Sequence, residues 1–136
     1  MFEILEHSAD EKFHAEGESK EEAFKEAVKA FAEIVGGDTH GQYHHKIKVE
    51  SENLEALLYD FLDELVFLQD SEGVVISHAE ELELEEKRDS WVLSATILVD
   101  NITSDMSLLD IKSPTYNEMK VGYRDKKWIL EAVLDV

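Results

Sequence analysis

The chain has 136 residues, no cysteine and a formal net charge of −19. A chain of this length makes one domain that can bury a core without covalent staples, and the missing thiols exclude disulfides, zinc knuckles and thiol chemistry. The carboxylate excess argues against direct nucleic-acid binding, which is built from Lys and Arg on phosphates, and suits a basic protein partner or cations.

The first element expected is a short strand at Phe2–Leu5, and the second is Lys12–Ala15. The polar corner His7-Ser8-Ala9-Asp10-Glu11 joins them, where a hairpin would need only a turn. Ser19-x-x-Glu22 reads as a capping box, a Ser at the N-cap and a Glu at N3 satisfying each other's orphan amides. Phe24, Ala27, Val28, Phe31, Ile34 and Val35 then recur at helical spacing, and Gly36-Gly37 ends the helix, so a helix is expected over 19–35.

Lys46–Val49 alternates as a strand. A second helix opens near Ser51–Asn53, with Leu54, Leu57, Leu58, Phe61, Leu62, Leu65 and Leu68 as its apolar stripe, and Asp70-Ser71-Glu72-Gly73 is expected to break it. Val74–Ser77 leads into Leu82–Leu84, and Trp91–Val99 pairs back across Lys87-Arg88-Asp89. The stretch 100–110, rich in Asn, Thr, Ser and Asp, reads as an irregular loop. Met119–Tyr123 and Trp128–Leu134 flank a turn at 124–127 and form a last hairpin.

Residues 43–99 therefore run strand, helix, strand, strand, and removing them leaves 12–35 followed by 116–135, which run the same way. The expected architecture is α+β: a largely antiparallel sheet, two helices on one face, and two strand–helix–strand–strand modules with 43–99 inserted in the other, all within one domain over 1–136. No signal peptide is expected, because Met1 leads into Phe2-Glu3-Ile4 without a basic or apolar leader. No apolar run reaches the roughly 20 residues of a membrane span; the best, 54–68, is broken by Asp60, Asp63 and Glu64. The expectation is a cytoplasmic protein without membrane contact.

Few residues carry chemistry by spacing. There is no phosphate loop, nucleophile elbow or His-Glu-x-x-His. His44 and His45 are adjacent and would point to opposite faces of a strand, so with His40 they read as loop and surface residues. Ser8, His7 and an Asp could compose a triad on paper, but a turn whose side chains bond their own backbone explains them better. The run Glu80–Glu86 alternates as the solvated face of a strand and discourages edge pairing. Asp10, the penultimate Asp135 and the oxygens of Val136 could together ligate a hard cation, with Asp38, Asp105 and Asp110 as further donors. Against that stands the ordinary surface role of most acids in a chain with 32 of them.

The motifs themselves are more specific. His7-Ser8-Ala9-Asp10 resembles the His-Thr-Ala-Asp signature of the archease family, and the likeness continues through Gly17 and Glu21-Glu22-Ala23-Phe24. Asn53–Leu65 is similar to the family's second helix, Ile111-Lys112-Ser113-Pro114-Thr115-Tyr116 to its Val-Lys-Ala-x-Thr-Tyr motif, and Leu134-Asp135-Val136 to its C-terminal ending. The resemblance implies two such modules, one inserted in the other, and a protein cofactor of the RtcB-type tRNA-splicing RNA ligase that promotes guanylylation and multiple turnover without itself being an enzyme. It also implies a divalent-metal site, often calcium, with Asp10, Asp135 and the main-chain or terminal oxygen of Val136 as ligands. Lys112 would contact the partner, and His7 and Ser8 would support the ligands or hold the turn. The chain departs from the family pattern at Ser8 for Thr, at the charged Glu11-Lys12-Phe13, at Asn117 where His is common, and in a shorter 100–110 loop. The competing roles are a general chaperone or modulator of an RNA-modifying methyltransferase, and a small carboxylate-dependent hydrolase.

Overall fold

A computed structural model of the chain describes residues 1–5 and 10–136. Its elements are β1 (Phe2–Leu5), β2 (Glu11–Gly17), α1 (Lys20–Val35), β3 (Tyr43–Ser51), α2 (Leu54–Glu72), β4 (Val74–Glu86), β5 (Trp91–Asn101), β6 (Ser113–Arg124) and β7 (Lys127–Asp135). Both helices start on side-chain caps. Ser19 Oγ accepts the Glu22 N–H at 3.1 Å, and Asn53 Oδ1 accepts the Ala56 N–H at 2.8 Å. The return arm of the expected box lands one residue early: Glu22 Oε2 accepts the N–H of Glu18 at 3.0 Å, not that of Ser19. Gly36 and Gly73, at φ of 87° and 64°, close the helices in the left-handed conformation that glycine enters without a Cβ clash. Helix α2 runs through Asp70-Ser71-Glu72, where a break was expected, and stops only at Gly73.

All pairings among the described residues are antiparallel, in line with the largely antiparallel α+β architecture expected. The strands divide between two sheets where the sequence suggested one. Four strands run in the order β1-β2-β7-β6 and three in the order β3-β5-β4. The three-stranded sheet is built wholly from residues 43–101, and the four-stranded sheet from residues on either side of that stretch. The helices do not cover one face of one sheet. Helix α1 packs on β2 and on β4, and α2 on β6 and on β3, so each touches both sheets.

One cluster fills the interior. Phe13 and Ala15 of β2, Leu130 and Ala132 of β7, and Leu93 and Ile97 of β5 face the fully buried Phe24, Phe31, Phe61 and Leu62 of the helices. Phe24 and Phe61 bring the helices together with ring centroids 6.3 Å apart. Lys20 Nζ sits over the rings of Trp128 and Trp91, 4.6 and 5.5 Å from their centroids, tying one strand of each sheet to the start of α1.

Bulges account for two differences in strand limits. Strand β4 is continuous, but register shifts between Ile76 and His78 and between Ala79 and Glu81 interrupt its alternation, which had split it into two segments. Strand β6 begins at Ser113 rather than Met119, because between Thr115 and Lys120 four residues face the single Ala132 of β7 and the pattern is lost there. The last hairpin closes on Asp125 and Lys126 at φ of 55° and 65°, the primed turn that matches strand twist. Among the described residues no helix is long and apolar enough to cross a membrane.

Candidate functional site

Strand β2 pairs Glu11 with Leu134, and β6 pairs Ser113 with Asp135. Continued by one residue, the β2–β7 register sets Asp10 opposite Asp135. Asp10 is half-buried at the mouth of β2, Asp135 is exposed, and Val136 is half-buried with its side chain against the core. The Lys112 N–H donates to the Asp135 carbonyl at 2.8 Å and fixes the approach to β6, while the Lys112 side chain is exposed. The register thus brings the positions of Asp10 and Asp135 to the same end of the four-stranded sheet, with the Lys112 segment beside Asp135. His7 and Ser8 lie outside the described residues.

The other acids divide. The loop after β5 crosses this end of the molecule: the Leu109 N–H donates to the Val35 carbonyl at 2.9 Å, and Ile111 is buried. Exposed Asp110 therefore sits between an anchor on α1 and an anchor on Asp135. Asp100 is engaged elsewhere, accepting the N–H groups of Gly41 at 2.7 Å and Gln42 at 3.0 Å. Burial opposes its charge, but those amides hold its carboxyl below the ordinary value. Asp105 accepts from the Thr103 hydroxyl in its own loop. Asp38 is exposed just beyond α1. Among the described residues no group of three or more His, Asp or Glu is arranged to hold a metal ion. The donors at the Asp10–Asp135 edge are all oxygens, which suits a hard cation such as calcium. Side chains alone do not complete a coordination sphere there, so main-chain oxygen at Val136 and water would have to contribute.

A second polar cluster was not anticipated. His14 stands opposite Glu131 in the β2–β7 register, and its Nδ1 lies 2.8 Å from Glu131 Oε2. Its Nε2 lies 2.8 Å from Glu16 Oε1, and Lys127 Nζ approaches Glu16 Oε2 at 3.6 Å. Burial works against a charge on His14, but the hydrogen bonds and charges of the two glutamates outweigh it and raise its pKa above 6.5. His14 and Glu16 are two apart on one strand, so their shared face was legible; Glu131, 117 residues from His14, was not. On the neighbouring edge Lys12 Nζ reaches Glu118 at 3.2 Å, and Asn117 lies exposed in the β6 bulge with its N–H on Thr115 Oγ1 at 2.9 Å.

The model of the Archease protein family (MTH1598/TM1083) matches residues 2–136. The Protein archease of Pyrobaculum islandicum is 34% identical over 136 residues, covering 96% of this chain and 92% of that protein. The Protein archease of Pyrococcus furiosus is 29% identical over 141 residues, covering 100% and 99%. Among solved structures, Methanobacterium thermoautotrophicum Protein 1598 superimposes with a TM-score of 0.86 at 29% identity, over 99% of this chain and 98% of that one. An archease and "possible chaperone" of Thermotoga maritima has the same fold at a TM-score of 0.63 and 19% identity, over 97% and 94%. Family model, relatives and fold agree over the whole length, and the chain belongs to the archease family.

Proposed function

We propose that this chain is a non-catalytic, cytoplasmic accessory protein that holds a divalent cation, calcium by the hardness of its donors, and activates an RtcB-type RNA ligase. The observation that supports the site is the β2–β7 register, which carries Asp10 to Asp135 at the last residues of the chain. Asp10 and Asp135 supply carboxylates, and Val136 supplies a main-chain or terminal oxygen. When bound, the cation supplies positive charge at an otherwise acidic edge, where a phosphate of the ligase's nucleotide could be held. Lys112 stands next to that edge for contact with the ligase, its backbone already fixed on Asp135. The surrounding acidity, −19 overall, favours fast and salt-sensitive encounter with a basic RNA-binding face and disfavours direct RNA binding.

Two measurements test this. Catalytic amounts of the chain should turn a single-turnover ligation by the cognate ligase into multiple turnover, and absence of any rate gain overturns the ligase role. Calcium at ~100 times its dissociation constant should stabilise the protein by about 2.7 kcal/mol, and Asp10→Ala should remove most of that shift; a variant with unchanged calcium affinity overturns the site. A general chaperone would instead protect unrelated clients with no dependence on the ligase; the Thermotoga protein is described as a possible chaperone.

A further inference from the structure

The β6 bulge turns Tyr116 away from the sheet and onto α2. Its ring lies flat on that of Tyr59, with centroids 4.2 Å apart and planes within 3° of parallel. One face of the pair is covered by the other ring, yet Tyr116 remains 57% exposed, so its second face meets solvent. Single exposed apolar side chains are ordinary on a protein surface; a stacked pair that bridges a strand and a helix presents a flat aromatic platform. Its surroundings are acidic. Desolvation first, and then the charges of Asp60, Tyr59 and Glu52, push the Tyr116 phenol above its usual value. Asp60 is held in place by the Ser51 hydroxyl, which donates to its Oδ2 at 2.5 Å. Among the described residues no Lys, Arg or His pairs with Asp60 or Glu52.

We propose that the Tyr116–Tyr59 platform, with Asp60 and Glu52 at its rim, is a docking site for an arginine side chain on an exposed segment of a basic partner protein. Two features select arginine. A guanidinium is planar and weakly hydrated, so it lies flat on an aromatic ring, and its fork of N–H groups reaches a carboxylate in the same plane. A lysine ammonium can offer charge here but neither the stacking area nor the paired donors. The negative face of the phenol ring and the rim carboxylates act on the same cation. A nucleic-acid base could stack on tyrosine as well, but its phosphates would meet Glu52, Asp60 and a chain of −19. This inference rests on the platform alone and not on the ligase reading.

Titration of the full chain with a Gly-Ser peptide carrying four arginines, and with its lysine counterpart, tests it. The arginine peptide should bind about fivefold or more tightly than the lysine peptide, and Tyr116→Ala should weaken it roughly tenfold. Tyr116→Phe should retain most of the affinity, because the ring face and not the hydroxyl is used, and Asp60→Asn should lose part of it while keeping the Ser51 contact. Equal affinity for the two peptides, or no change in Tyr116→Ala, would mean diffuse attraction to an acidic surface and overturn the proposal. Tighter binding of a single-stranded RNA than of the arginine peptide overturns it too. The arginine–lysine comparison in the unaltered chain stands even if the alanine variant folds poorly.

Discussion

The two sheets of this molecule are made from differently distributed parts of the chain. The three-stranded sheet takes its strands and its flanking helix α2 from one continuous stretch, 43–101, with β4 and β5 joined by a short turn at Lys87 to Ser90. The four-stranded sheet joins residues 2–17 to residues 113–135, and its central β2–β7 pairing spans more than a hundred residues. Closing a loop that long has an entropic cost that adjacent hairpins avoid. The family-like residues nonetheless lie on the expensive sheet: Asp10, Lys112 and Asp135 are all at its β2–β7–β6 edge. The proposed site, built from Asp10 and Asp135, would form only once the β2–β7 pairing has closed, so folding and cation binding would be coupled.

The hardest break of this asymmetry is Phe13→Ala. Phe13 is fully buried on β2 opposite Ala132, and its truncation should cost about 3–5 kcal/mol in urea unfolding. In hydrogen exchange, the amides of β1, β2 and β7 should lose protection while those of β5 at the centre of the other sheet keep it. Uniform loss across both sheets would show that they open as one unit.

A smaller effect should come from His14. With both ring nitrogens on carboxylates, only the imidazolium can donate to Glu131 and Glu16 at once; the neutral ring has one N–H, and the other nitrogen then faces an oxygen lone pair. Its folded pKa is raised, so the native state holds more protons than the unfolded chain in this range. The contribution is fully present below pH 6.5 and is lost as pH rises through the folded value. Urea midpoints measured across that window should fall with rising pH, and the slope should vanish in His14→Gln, with about 1.5–3 kcal/mol lost at the acid end. The same slope in wild type and variant would remove His14 from the account.

Least of all, the helix caps should compare the two regions evenly. Ser19→Ala and Asn53→Ala each remove one cap acceptor, so each should cost about 1 kcal/mol in thermal unfolding. A much larger cost at Ser19 would mean that the start of α1, where Lys20 bridges Trp91 and Trp128, stabilises the contact between the sheets as well as the helix.

Periodicity and capping chemistry are local, and so both helices, their caps, the hairpin turns and the α+β class could be read from residue order. Local reading failed where the backbone leaves its period: the bulges in β4 and β6 hid a continuous strand and the first half of another. It also failed where a partner is remote. His14 and Glu16 share a face by spacing, but the Glu131 that completes their cluster comes from β7. The Tyr59–Tyr116 stack likewise needs a helix and a bulge brought together from distant parts of the chain. The alternation of apolar and polar residues decides which side of a strand is buried, because the side-chain period is two. It is silent on which strand lies alongside. That was decided by tertiary closure, in which β2 and β7 must share one register to bury Phe13, Ala15, Leu130 and Ala132 against α1, and the same register carries Asp10 to Asp135.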